Sequence, residues 1–272
     1  MTIIVCVKIN DGIIVASGST TSFFRNDDKF VQSYDSASKI FNLYKGLPIG
    51  AATCGTGNIG NTSIATLSKD FRETLQNELP PARSDSFNPK NYTIQEISIK
   101  ARAFFLQTVA ETTQNIWLTY WIFGYSTNCS LPEIWSINIR GRDCDEPTLM
   151  ASETWNGCRW DGEREALDRL ILGYTPELTR SAVLAGADET TMAEILDKIA
   201  PDLYETLVLP AMPIQDAIDL SQYLVDATTG FMKFSVGRAR TAGGPTEIAV
   251  VTKHESFKWI ARKQFYKVEY NR

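Results

Sequence analysis

The sequence predicts an α+β protein, a four-layer αββα sandwich in which two sheets stack face to face and helices cover the outer faces. Three observations predict it. Strands come in antiparallel pairs, helices are grouped in pairs between them, and the strict βαβα alternation of a parallel sheet is missing. With 272 residues, 43% of them hydrophobic, the chain is long enough to bury one large core. No internal repeat or low-complexity tract divides it, so residues 1–272 read as a single domain.

The elements follow in order. Thr2-Ile3-Ile4-Val5-Cys6-Val7-Lys8-Ile9 reads as a strand from its first residue, Asn10-Asp11-Gly12 as a tight turn, and Ile13-Ile14-Val15-Ala16 as the returning strand. The polar stretch 17–38 leads to Lys39-Ile40-Phe41-Asn42-Leu43, and a Tyr44-Lys45-Gly46 turn feeds the small-residue strand Ile49-Gly50-Ala51-Ala52-Thr53-Cys54. The glycine-rich turn Gly55-Thr56-Gly57-Asn58 is expected to open a helix over 59–79, followed by a linker-like loop over 80–91. Thr93-x-x-Glu96 is a capping box for a second helix reaching about residue 113. Strands over 117–126, 133–139 and near 149–151 precede helical patterns over 162–172, 191–207 and 214–229; strands over 247–252 and 257–263 close the chain.

Composition removes several functions. The formal net charge is −5 and no basic cluster is present, which argues against a nucleic-acid surface. No apolar run reaches membrane-spanning length, and the start lacks the basic-then-apolar layout of a signal peptide, so a cytoplasmic protein with no membrane partner is expected. Five cysteines without a CxxC pair read as reduced thiols. The single histidine, His254, reads as a surface turn residue. A Ser-His-Asp or Cys-His machine would have to rest on it, and no GxSxG elbow or cysteine signature accompanies it. Zinc sites built on two histidines are impossible, and Cys54-Gly55-Thr56-Gly57-Asn58 lacks the lysine and spacing of a phosphate loop.

Thr2 carries the most chemistry. Aminopeptidases remove methionine ahead of a small residue, so loss of Met1 would leave a free α-amine and a hydroxyl on one residue at the rigid head of a strand. That pair is a nucleophile with its own base.

Four motifs in this order resemble one family. They are Thr2-Ile3-Ile4-Val5-Cys6-Val7-Lys8 with Asp11-Gly12, Ser38-Lys39-Ile40-Phe41, Ile49-Gly50-Ala51-Ala52-Thr53-Cys54-Gly55-Thr56-Gly57, and Gly243-Gly244-Pro245-Thr246-Glu247-Ile248-Ala249-Val250-Val251-Thr252. The chain resembles proteasome β-type subunits, and more closely the bacterial proteasome-like N-terminal nucleophile hydrolases that begin Met-Thr. The likeness covers nearly the whole chain, with a helical insertion near 174–212.

The resemblance implies roles. Thr2 would be the nucleophile and its α-amine, through a water, the general base. Lys39 matches the family's essential lysine, and Gly55 the glycine whose backbone N–H stabilises the oxyanion. Thr21 and Ser22 match the strand that pairs with an extended peptide substrate, although a solvated loop fits them equally. A supporting serine falls near Asn156-Gly157, where Asn156 would donate and accept hydrogen bonds. The chemistry calls for no cofactor and no metal.

The departures are as specific. The family's carboxylate beside the lysine falls at Gly18, and its supporting aspartate and serine at Ala239 and Ala242. A buried, unpaired Lys39 would have a lowered pKa or be reached by another acid, with Asp27, Asp28 and Asp35 in the following loop. Two readings therefore stand. One is a threonine-type hydrolase of peptide bonds in a self-compartmentalised homo-oligomer, acting on peptides or unfolded proteins. The other is a subunit with the same fold and a structural or binding role. Substrate identity, subunit number and any unfoldase partner stay open. The ring draws support from helix residues such as the consecutive Phe104, Phe105 and Leu106, which cannot all face one sheet.

Overall fold

The computed structural model describes residues 2–24, 30–77, 87–236 and 241–263. The chain opens with β1 (Ile3–Ile9) and β2 (Gly12–Ser17), then the hairpin β3 (Thr21–Phe24) and β4 (Phe30–Tyr34). Next come β5 (Ile40–Asn42), β6 (Ile49–Gly55), the minimal hairpin β7 (Asn58–Ile59) and β8 (Thr62–Ser63), and helices α1 (Ile64–Asn77) and α2 (Ile94–Ala110). Five strands follow: β9 (Ile116–Gly124), β10 (Glu133–Gly141), β11 (Asp143–Cys144), β12 (Thr148–Ala151) and β13 (Gly157–Gly162). The short α3 (Glu165–Leu167) runs into a π-helical turn (Asp168–Leu172), then α4 (Pro176–Leu184), α5 (Glu189–Leu203) and α6 (Ile214–Phe234). β14 (Glu247–Thr252) and β15 (Ser256–Ala261) end the described fold.

Among the described residues two antiparallel sheets dominate. One has the order β13-β1-β2-β14-β15; the other runs β11-β10-β9-β6-β5, with β12 also on β10. Side chains alternate across each strand, and the core divides accordingly. Ile4 and Cys6 of β1 join Val15, Ala52, Trp121, Phe123 and Val251 in a cluster fed by both sheets. Ile3, Val5 and Val7 on the opposite face of β1 join Trp160, Leu167, Leu224 and Val225, against α3 and α6. The other sheet turns Ala51, Tyr120 and Ile122 towards Leu67 and Phe71 of α1 and Ile97 and Phe105 of α2. Both faces of β1 are thus covered, which is why its whole sequence is buried.

The structure corrects several element boundaries. The helix expected from residue 59 begins at Ile64. Residues 58–63 form a hairpin turning at Gly60, which has φ +56°, and the Ser63 hydroxyl accepts from Thr66 N–H at 3.1 Å to cap α1. The polar stretch 17–38 contains the β3–β4 hairpin, whose exposed residues gave no apolar alternation. Residues 157–161, to which the sequence assigns no element, form a strand with Gly162, where a helix is expected to begin; it fills the edge of β1 in register, with Ile3 opposite Gly162 and Lys8 opposite Gly157. Thr93 caps α2 as expected, accepting from Glu96 N–H at 3.0 Å.

The apolar run on α2 is absorbed within the chain. Phe105 packs on Tyr120 of the sheet at 4.9 Å between ring centroids, while Phe104 turns to Phe71 of α1 at 5.5 Å. The region 174–212 contains α4 and α5, in which Leu196 is buried but Leu178, Leu184, Ile195 and Ile199 stay exposed. Among the described residues, no helix is long and apolar enough to cross a membrane.

Candidate active site

The register brings four strand ends together. Ile3 pairs with Gly162, Ile4 with Ser17, and Ser17 with Glu247, so Thr2, Gly18 and Glu247 share one end of the first sheet. In the second sheet Ile40 pairs with Ala52 and Thr53 N–H bonds to Lys39 O at 2.9 Å, which brings Lys39 beside the Cys54–Gly55 end of β6. Between these ends lies a cleft of about 740 Å³, lined by Thr2, Thr21, Lys39, Cys54, Gly55 and Glu247 among others.

Thr2 is buried and held from two sides. Its Oγ1 donates to Gly18 O at 3.3 Å, and its carbonyl accepts from Glu163 N–H at 2.7 Å. Gly18 itself is a close-approach glycine, since a Cβ there would stand 2.9 Å from Gly243 O. A carboxylate side chain at 18 is therefore shut out by the backbone of the turn before β14. At Gly55 the φ of +102° and a Cβ position 2.1 Å from Trp117 O demand glycine, which leaves this end of β6 exposed to the cleft.

Lys39 is 7% exposed and its ammonium donates to Thr20 O. Burial is the main force that drops its pKa to about 7, with Lys263 pushing the same way and Cys54 and Glu247 opposing. Asp27 and Asp28 lie outside the described residues, and Asp35 Oδ1 accepts from Thr20 Oγ1 at 2.6 Å. Among the described residues the carboxylate that favours the Lys39 charge is Glu247, almost fully buried, with Oε2 3.5 Å from Lys263 Nζ. Lys263 in turn donates to Ala37 O at 2.5 Å. Sequence reasoning missed this pair because Glu247 heads a strand more than two hundred residues from Lys39. Its one sequence signal is a charged residue at the start of an otherwise apolar strand.

Burial, reinforced by Asp161, raises the Cys54 pKa well above the thiol range, so Cys54 stays a protonated wall residue rather than a nucleophile. Cys6 is pushed up by burial as well. His254 is exposed in the turn between β14 and β15.

Thr21 lines the cleft from β3; Ser22 does not, and its buried Oγ has no hydrogen-bond partner among the described residues. Asn156 is not brought to the site. Gly157 opposes Lys8, six residues along β1 from Thr2 and roughly 20 Å away at strand rise. Asn156 Nδ2 instead donates to Asn10 Oδ1 at 3.4 Å beside the first hairpin turn. Ala242 is buried in the core cluster with Ile3 and Val5 and does not line the cleft, and Ala239 lies outside the described residues. No group of three or more His, Cys, Asp or Glu among the described residues would hold a metal. No protein-family model matches the chain, and no curated protein matches it.

Proposed function

We propose that this chain is a proteasome-like hydrolase of peptide bonds with Thr2 as its N-terminal nucleophile, on a four-layer αββα sandwich of the N-terminal nucleophile type. The observation that carries the reading is the shared cleft: a buried threonine at the head of a central strand, a buried lysine with a near-neutral pKa, and an exposed strand-end glycine.

The mechanism follows from these groups. With Met1 removed, the Thr2 amine takes the Oγ1 proton through a water as Oγ1 attacks the scissile carbonyl carbon. The tetrahedral oxyanion accepts a hydrogen bond from Gly55 N–H. The carbon–nitrogen bond then breaks, the leaving amine takes the proton, and an ester to Thr2 remains. Water, deprotonated by the same amine, hydrolyses the ester and restores the hydroxyl. Lys39 in its ammonium form lowers the proton affinity of Thr2 and its amine, and the Glu247–Lys263 pair tunes that charge. β3 pairs with β4 alone among the described strands, so its other edge is open to an extended peptide by strand addition.

The reading includes self-association into a ring or stacked assembly that encloses the clefts. With the α1 and α2 faces packed internally, its support moves to the exposed apolar residues of α4 and α5. Light scattering tests it, and a monomeric mass at micromolar concentration removes it.

Intact mass and a peptidase assay test the chemistry. Mature protein starting at Thr2, active on unfolded polypeptide and silent as Thr2→Ala, is expected. Retained Met1 with no turnover would leave the structural subunit instead.

A further inference from the structure

The chain is acidic, with a net charge of −5, but its cleft is not. Among the described residues its lining carries Lys39, Lys69, Arg72 and Arg262 against one carboxylate, Glu247. That carboxylate is already engaged by Lys263 at 3.5 Å. Lys39 is spent on the Thr20 carbonyl, and the Arg262 guanidinium stacks on Trp259 at 5.0 Å.

Among the described residues two cations remain, both on α1. Lys69 and Arg72 are three residues apart and so share a helix face, which here is the cleft wall. The α1 carboxylates Asp70 and Glu73 do not line the cleft. Arg72 Nε is buried and has no hydrogen-bond partner among the described residues. A desolvated charged N–H without an acceptor is costly, and an arginine fork matches a carboxylate in two bonds.

We propose that the α1 wall of the cleft is a subsite for the carboxylate of a glutamyl or aspartyl side chain next to the scissile bond, with Arg72 as its principal ligand and Lys69 as a second charge. This rests on the hydrolase reading for the word scissile, but the subsite itself needs only the cleft. Such a preference places acidic peptides ahead of apolar or basic ones.

The test separates the two claims by measuring binding without turnover. Full-length Thr2→Ala protein is titrated with acetylated, C-terminally amidated peptides that differ at one position: Glu, Gln or Arg. The Glu peptide is expected to bind about tenfold more tightly than its Gln isostere, and the Arg peptide more weakly still. Arg72→Glu should remove or invert that ratio, and Arg72→Lys should keep most of it. The ratio is taken within one protein, so partial loss of folding does not mimic the effect. Equal binding of Glu and Gln peptides, or a ratio unchanged by Arg72→Glu, overturns the subsite. A Gln peptide with a free C-terminal carboxylate that binds as tightly as the amidated Glu peptide also overturns it, in favour of chain-end capture. If the Glu preference holds while mature Thr2 protein cleaves none of the peptides, the hydrolase reading fails and the subsite survives.

Discussion

Two buried lysines differ in what surrounds them: Lys8 lies at the end of β1 remote from Thr2, and Lys39 lies at the Thr2 cleft. Both have pKa values lowered first of all by burial. Lys8 is sealed: it is fully buried and donates to Glu153 O at 2.8 Å and Trp155 O at 2.5 Å, tying the loop before β13 to β1. Lys39 opens on a cleft that it shares with Thr2, and a buried acid–base pair sits beside it. A buried lysine is therefore not in itself a sign of chemistry. The distinguishing features are an adjoining cavity, a neighbouring threonine hydroxyl and a charge network that can tune the lysine.

The comparison breaks most visibly under mutation of activity. In the proposed mechanism nucleophile and cation act as one unit, so Thr2→Ala and Lys39→Ala are each expected to lower kcat/KM by about a thousandfold or more. Lys8→Met should leave kcat within a few-fold. Its effect falls on stability instead: two carbonyls lose their donor, which costs roughly 2–4 kcal/mol in a urea denaturation. Activity lost in Lys8→Met at full folding would mean that the far end participates in the chemistry.

Much of this contrast was legible in the sequence, and the limits have physical causes. The β1–β2 hairpin, the strand β14 and the capped start of α2 were readable because a tight turn, an apolar run and a Thr-x-x-Glu box are local signals. Thr2, Lys39 and Gly55 stood out from motif order, and all three line one cleft. Glu247 could not, since its ion pair with Lys263 depends on the β14–β15 pairing and its place in the Lys39 cleft on the β2–β14 register. Asn156 was misplaced because the β13 strand between two glycines went unread, and with it the register that sends residue 156 to the Lys8 end.

The Lys39 environment has a signature in stability. Its pKa falls from the ordinary lysine range to about 7, so between about pH 7 and 10 the unfolded chain binds more protons than the folded one. Stability from this group therefore rises with pH across that window, and the cost of the buried ammonium is fully present below pH 7. Relative to Lys39→Met, the wild-type protein should gain roughly 2 kcal/mol between pH 6.5 and 8.5 in denaturant midpoints. A flat difference would show that Lys39 keeps an ordinary pKa.

Glu247 sharpens the same point with a smaller effect. It favours the charged form of Lys39, so Glu247→Gln should lower the Lys39 pKa further and move the alkaline limb of kcat/KM towards lower pH. Activity at pH 8 should fall severalfold while activity at pH 6 changes less, and Glu247→Asp should recover part of the loss. An alkaline limb that does not move in Glu247→Gln would assign that limb to a group other than Lys39.

The smallest effect is expected at Asn156, the predicted site residue that the register carries away from Thr2. Its amide makes one long bond of 3.4 Å to Asn10 in an exposed setting, worth a few tenths of a kcal/mol at most. Its Oδ1 is buried without a partner among the described residues, so removal also relieves a desolvated carbonyl. The two terms oppose each other, and Asn156→Ala should change stability by less than about 0.5 kcal/mol. Its kcat/KM should stay within about twofold of wild type, because the loop lies at the end of the β1–β13 pair remote from the Thr2 cleft. A tenfold fall in kcat with an unchanged melting temperature would mean that the two ends of β1 are coupled, and the contrast between the sealed lysine and the open one would no longer describe separate regions.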